Sequence, residues 1–163
     1  MGRAKAVQAE ERPAVQARAA PRCWPSCTRC PADENLTWND VQIASTIFAV
    51  KPGDGSAREQ AASCQRVLGA GANIVTEYAT KRYRSNLINW GMLPLQLVGA
   101  TPFGLGDYVF IPNVREALKG DLQNIKAYVL GDTAKEFSLY MAPLTADERK
   151  ILADGCLINF YKH

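Results

Sequence analysis

"VQIASTIFAVKPGDGSAREQAASCQRVLG", residues 41–69, holds the change of pattern that decides the fold. Its first ten residues are β-branched, aromatic and almost continuously apolar toward their end, which predicts a buried strand. Lys51-Pro52-Gly53-Asp54-Gly55 then ends that run. Proline cannot donate to a ladder, and glycine admits the backbone angles of a tight turn. Ser56 stands where an N-cap belongs, and Glu59 three residues on completes the S-x-x-E capping box. The helix that follows is expected to run to about Val67, stopped by Gly69 and Gly71. A glycine-rich turn feeding a helix leaves backbone N–H groups outward at the positive end of the helix dipole, a place for an anion.

Toward the carboxyl end the same grammar continues. "NIVTEYA" (73–79) alternates as a strand does, and "TKRYRSNLINW" (80–90) sets Tyr83, Leu87 and Trp90 on one helical face, with Lys81, Arg82 and Arg84 off it. Four apolar runs bounded by glycine, proline or aspartate read as strands: 93–99, 107–112, 125–131 and 136–141. A second capping box, Thr145 to Glu148, opens a last helix that closes before Gly155. No internal repeat is visible. The order implies an α/β fold, a compact β/β/α domain with a mixed sheet flanked by helices.

Composition narrows the function classes. A chain of 163 residues, 47% hydrophobic and 21% charged, suits one globular domain with a single core. The net charge of +3 is small and its cations are spread along the chain, so a nucleic-acid surface is not indicated. No apolar run approaches the roughly 18–20 residues of a bilayer span. Five cysteines, three of them at Cys23, Cys27 and Cys30, match no disulfide framework, which points to a reducing, cytoplasmic home. Cys64 and Cys156 stand singly and are expected to be buried.

Residues 1–34 differ from the rest. They hold eight alanines, four prolines and no aliphatic residue larger than valine, so the segment is expected to be a disordered or non-native leader. An organelle transit peptide is the competing reading, opposed by Glu10, Glu11 and a single serine, Ser26. Its Cys23-x3-Cys27-x2-Cys30 spacing is one by which some enzymes hold an iron–sulfur cluster, but Arg29 stands where those enzymes carry an aromatic residue. A zinc site would need a fourth ligand, and the sole histidine is His163. No metal is assigned to this chain.

Three stretches carry a family resemblance. "GDGSARE" (53–59) resembles the G-x-G-S-S-R-E turn in the swivelling domain of the aconitase and isopropylmalate isomerase superfamily. "NLINWGMLPL" (86–95) is similar to that domain's N-L-x4-G-L-L-P-L segment at Asn86, Leu87, Gly91, Leu93, Pro94 and Leu95. "DGCLINFYK" (154–162) resembles its closing A-G-S-x-L-N stretch at Gly155 and Asn159. The expected domain is 35–163.

The resemblance implies a hydro-lyase that removes and restores water on a hydroxy di- or tricarboxylic acid. It places Ser56 as the base, an alkoxide made less costly by a helix N-terminus and a neighbouring cation. Arg58 would grip a substrate carboxylate through its planar fork, with Gly55 and Ala57 as further substrate-binding positions. Ala57 replaces the family's second serine and Gln60 its histidine, so one substrate hydrogen bond is changed. The family's 4Fe-4S cluster is held by cysteines in other domains, so the chain is expected to need a cluster-bearing partner or large subunit. It would be either the small subunit of a split, isopropylmalate-dehydratase-like enzyme or the end of one long chain. The abrupt start of family-like sequence at "ENLTWNDVQ" (34–42) favours a truncated or rearranged reading frame. Locally, the same residues also read as a plain helix cap with a solvated Arg58. The alternative functions are a carboxylate-binding module without catalysis and an inactive fragment.

Overall fold

The computed structural model describes residues 3–4, 41–130 and 134–162. In chain order the strands are β1 (Arg3–Ala4), β2 (Ser45–Ala49), β3 (Ala70–Val75), β4 (Leu93–Leu97), β5 (Tyr108–Phe110), β6 (Ile125–Leu130) and β7 (Lys135–Tyr140). The helices are α1 (Arg58–Val67), α2 (Lys81–Asn89), α3 (Val114–Lys119), α4 (Ala146–Asp154) and α5 (Leu157–Phe160). The strands form one mixed sheet in the order β1-β2-β3-β4-β7-β6-β5, so the expected α/β class with a mixed sheet is what the chain adopts. Apart from Arg3–Ala4, the leader expected over residues 1–34, with its three cysteines, lies outside the described residues.

Two halves meet in that sheet. β2, β3 and β4 run parallel, with Phe48 opposite Ile74 and Ile74 opposite Leu95. Parallel neighbours need a crossover, which α1 and α2 supply. From β4 onward every pairing is antiparallel: β4 with β7, β7 with β6, and β6 with β5. The first half therefore brings two helix N-termini to the same end of the parallel strands, where α/β sheets commonly bind ligands.

The larger core lies in both halves, with Ile74, Ile88, Leu95, Leu139 and Met141 all almost inaccessible. Each such side chain contributes roughly 1.5–3 kcal/mol by leaving water. A smaller cluster of Ala62, Ala70, Tyr83, Leu87 and Met92 sits under α1 and α2, with Tyr78 and Trp90 partly buried against it. Tyr83 of this second cluster lies directly beneath the turn at Gly53.

Several sequence expectations need correction. β2 is mostly half-buried, with only Thr46 buried, because among the described residues only the two-residue β1 lies beyond it in the sheet. α1 ends at Val67 and Gly69 turns the chain at φ +85°, as expected, but Gly71 lies inside β3 and stops nothing. β3 starts at Ala70 and ends at Val75, earlier than the alternation over 73–79 suggests. Trp90 is only partly buried; Ile88 takes the place on the buried face that the reading gave it. Arg84, read as off the apolar face, has a side chain only 17% exposed that approaches Glu148 at 3.9 Å. α3 and α5 were not foreseen. α3 opens from Asn113 at φ +53° with no side-chain cap, so it leaves no capping signature in the sequence.

Candidate functional site

The turn predicted to carry chemistry is bound to α2 through one backbone carbonyl. Gly53 adopts φ +97°, and a Cβ there would lie 2.5 Å from Tyr83 Cβ, so only glycine lets the turn lie this close to the helix. Its carbonyl oxygen accepts hydrogen bonds from Arg58 Nε at 3.1 Å and from Thr80 Oγ1 at 2.8 Å. Thr80 also caps α2, its hydroxyl oxygen accepting from the Tyr83 N–H at 3.3 Å. The first turns of α1 and α2 are thereby held to each other.

That docking overrides the local capping signal. The N-cap of α1 is Ala57, no side chain caps it, and Glu59 is the second helical residue, so the Ser56–Glu59 box does not form. Ser56 is exposed, and its hydroxyl makes no hydrogen bond among the described residues. Arg58 commits Nε to Gly53, which leaves both terminal nitrogens of its fork without a partner among the described residues. Gly55 and Ala57 are exposed on the turn, and a Cβ at Gly55 would meet nothing within 4 Å. The backbone at Gly55 is open to a ligand.

Ser56, Arg58 and Glu59 line one side of an open groove of about 400 Å³ whose other side is Lys81, Arg82, Ser85 and Asn86 of α2. Of the four turn positions predicted from sequence, Ser56 and Arg58 line the groove and Gly55 and Ala57 do not. The α2 residues were missed as site residues. The signal was available: Lys81 with Ser85 and Arg82 with Asn86 are spaced four apart, off the apolar face. Three cations against the single carboxylate of Glu59 give the groove a positive bias.

A buried polar network lies beneath the turn at Gly53. Tyr83 Oη accepts from Gln65 Nε2 at 2.8 Å and from Asn73 Nδ2 at 3.0 Å, which fixes the ring beneath Gly53. Tyr78 lies against it, ring centroids 6.2 Å apart, with its own hydroxyl buried and unpartnered. Burial, and then the neighbouring Tyr83, hold the Tyr78 hydroxyl well above the usual tyrosine range, with Arg84 pulling weakly the other way.

The second and third resembling stretches pack together. Gly91, at φ +69°, faces Gly155, and any Cβ on Gly91 would collide with the Gly155 carbonyl oxygen. Asn159 Nδ2 donates to the Asp154 carbonyl at 2.9 Å, closing the end of α4. Cys64 is exposed and Cys156 half-buried, not buried as expected, since Cys64 lies on the outer face of α1 and Cys156 in the link between α4 and α5. Among the described residues no group of three or more histidine, cysteine, aspartate or glutamate side chains could hold a metal ion, so these residues do not fit the ligand set of an iron–sulfur cluster. No helix among them is long and apolar enough to cross a membrane.

Comparison with known proteins agrees with the resemblance. Residues 31–99 match the Aconitase C-terminal domain family. The chain is 34% identical over 116 residues to aconitate hydratase A of Mycobacterium avium, a match covering 66% of this chain and 12% of that protein. It is 30% identical over 126 residues to aconitate hydratase A of Legionella pneumophila, covering 66% of this chain and 14% of the relative. The matched part is thus a small portion of each relative's length.

Proposed function

We propose that this chain, a relative of the aconitase carboxyl-terminal domain, is the swivelling domain or small subunit of an aconitase-like hydro-lyase acting on a hydroxy di- or tricarboxylic acid. One observation carries the reading: Ser56 and Arg58, the residues the resemblance assigns to proton abstraction and carboxylate binding, line one positively biased groove. Arg58 is oriented by Gly53 through Nε, which leaves its terminal nitrogens for a carboxylate, a charge-assisted contact that also positions the adjacent carbon. The uncapped first turn of α1 offers N–H dipoles beside Ser56, an environment that favours negative charge on its oxygen. In the dehydration direction Ser56 Oγ takes the proton from the carbon next to the carboxylate. The electron pair forms the double bond as the hydroxyl leaves with the help of a group from outside this chain.

The cluster of the assembled enzyme is assigned to a partner domain or large subunit, and the whole assembly to the cytoplasm. The exposure of Ser56, with no base or cation bonded to it, favours a second reading in which the isolated chain only binds carboxylates.

Coexpression of the chain with cluster-bearing aconitase domains tests the first reading. An iron-dependent hydratase activity is expected, falling by about 10³-fold or more in Ser56→Ala and Arg58→Ala. Carboxylate binding by the chain alone, with no activity in any assembled form, would leave the binding-module reading in its place.

A further inference from the structure

We infer that Thr80 is a positioning residue for Ser56: by donating its hydroxyl to the Gly53 carbonyl, it keeps the turn open and the Ser56–Glu59 capping box from closing. That Ser56 must stay free rests on the hydro-lyase reading above, whereas the hold on the turn follows from the geometry of the chain itself.

The turn is anchored up to one point and loose beyond it. Backbone bonds tie its approach to the loop that leads into α2: the Thr76 N–H donates to the Ala49 carbonyl at 3.3 Å, Glu77 to Val50 at 2.9 Å and Ala79 to Pro52 at 3.0 Å. Thr80 continues this series with its side chain, donating to the Gly53 carbonyl at 2.8 Å. There the hold ends, since Asp54, Gly55 and Ser56 make no hydrogen bond among the described residues. Arg58 Nε also reaches the Gly53 carbonyl, but that bond ties the turn to the helix that follows it and not to α2. Packing on Tyr83 sets how closely Gly53 approaches and is non-directional, so the Thr80 hydroxyl is what fixes where the carbonyl points.

Without that hold a second arrangement is available. Ser56 and Glu59 have the spacing with which Thr145 and Glu148 close a box at α4. In the open turn the Glu59 N–H has no backbone partner among the described residues, and closing the box would give it Ser56 Oγ. A cap of this kind shifts a folding equilibrium by about fivefold, so an open turn needs a contact that opposes it. A closed box would spend the Ser56 oxygen on its own helix and make it a poorer base.

Only a hydroxyl serves both ends of this contact. Thr80 Oγ1 accepts from the Tyr83 N–H at 3.3 Å while it donates to Gly53. A carboxylate or a glycine at position 80 still suits the N-cap of α2 but donates nothing. Capping and positioning are therefore separable by substitution.

The test is amide hydrogen exchange in the isotopically labelled full chain, comparing the parent with Thr80→Asp, Thr80→Gly and Thr80→Ser. The Glu59 amide is expected to exchange about fivefold more slowly in Thr80→Asp and Thr80→Gly, because the box then closes. It should keep the parent rate in Thr80→Ser, which retains the hydroxyl. A merely structural role would leave this amide unchanged or speed its exchange. Adding Ser56→Ala to Thr80→Gly should return Glu59 to the parent rate and lower the folding equilibrium constant by about fivefold. Parent-like exchange in either Thr80→Asp or Thr80→Gly, or equal slowing in Thr80→Ser, would overturn the hold on the turn. The same chains are then coexpressed with cluster-bearing aconitase domains. Since the open turn would be populated about one time in six, kcat should fall by about fivefold in Thr80→Gly, with KM within about twofold and Thr80→Ser restoring the rate. An unchanged kcat in Thr80→Gly would overturn the positioning role. Exchange as expected, with no activity in any assembled form, would support the hold of Thr80 on the turn while removing the hydro-lyase reading.

Discussion

Thr145 and Ser56 each stand three residues ahead of a glutamate at the start of a helix, and only Thr145 caps. At α4 the box is closed: Thr145 Oγ1 accepts from the Glu148 N–H at 3.2 Å, and Glu148 Oε2 accepts from the Thr145 N–H at 2.8 Å. At α1 the helix starts one residue later, Ala57 occupies the cap, and neither half of the box forms. Local sequence does not separate the two cases. Tertiary structure does: Gly53 lies flat on Tyr83, and its carbonyl holds Arg58 and Thr80. A box closed on itself spends its oxygens on its own helix, whereas the open turn keeps a hydroxyl, a guanidinium fork and first-turn N–H groups for something else.

The strongest way to break this comparison is to remove what holds the open turn. Gly53→Ala introduces a Cβ 2.5 Å from Tyr83 at a positive φ, so it should cost about 2–4 kcal/mol in a urea unfolding experiment. A loss below about 1 kcal/mol would mean that the turn does not rest on Tyr83. Thr145→Ala, which removes a working cap, should cost about 1 kcal/mol. Ser56→Ala should change stability by less than about 0.5 kcal/mol, because no structural hydrogen bond is lost. If the two alanine variants proved equally destabilised, Ser56 would be capping in solution and the contrast would collapse.

Reading the sequence reached the class of fold and two of the groove's seven residues, and the reasons for its misses are physical. Alternating and continuous apolar runs mark strands, so β2 to β7 were legible, with ends misplaced where tertiary contacts decide them. α3 was not legible, since Asn113 enters it in the left-handed region and offers no cap. Ser56 and Arg58 were legible through a family-like turn, while Lys81, Arg82, Ser85 and Asn86 join them only because Gly53 ties the turn to α2. A period of four marks a polar helix face, but not which loop will settle against it.

The comparison is also sharpened from beneath, through the tyrosine pair under the turn. Tyr78→Phe removes a buried hydroxyl that has no partner, so stability at neutral pH should stay within about 1 kcal/mol of the parent. The difference should emerge in alkali. Burial holds the folded-state pKa of Tyr78 above that of a tyrosine in the unfolded chain, which is about 10. Below about pH 10 both states keep the proton and the contribution is fully present; above it the unfolded chain binds fewer protons than the native one, and stability falls with pH. The parent should therefore lose stability more steeply than Tyr78→Phe above about pH 10, with other tyrosines and lysines contributing equally to both proteins. Parallel alkaline profiles would mean that the Tyr78 hydroxyl reaches solvent. The floor beneath Gly53 would then be open to water, and the contact with Tyr83 would no longer account for a turn held away from its own cap.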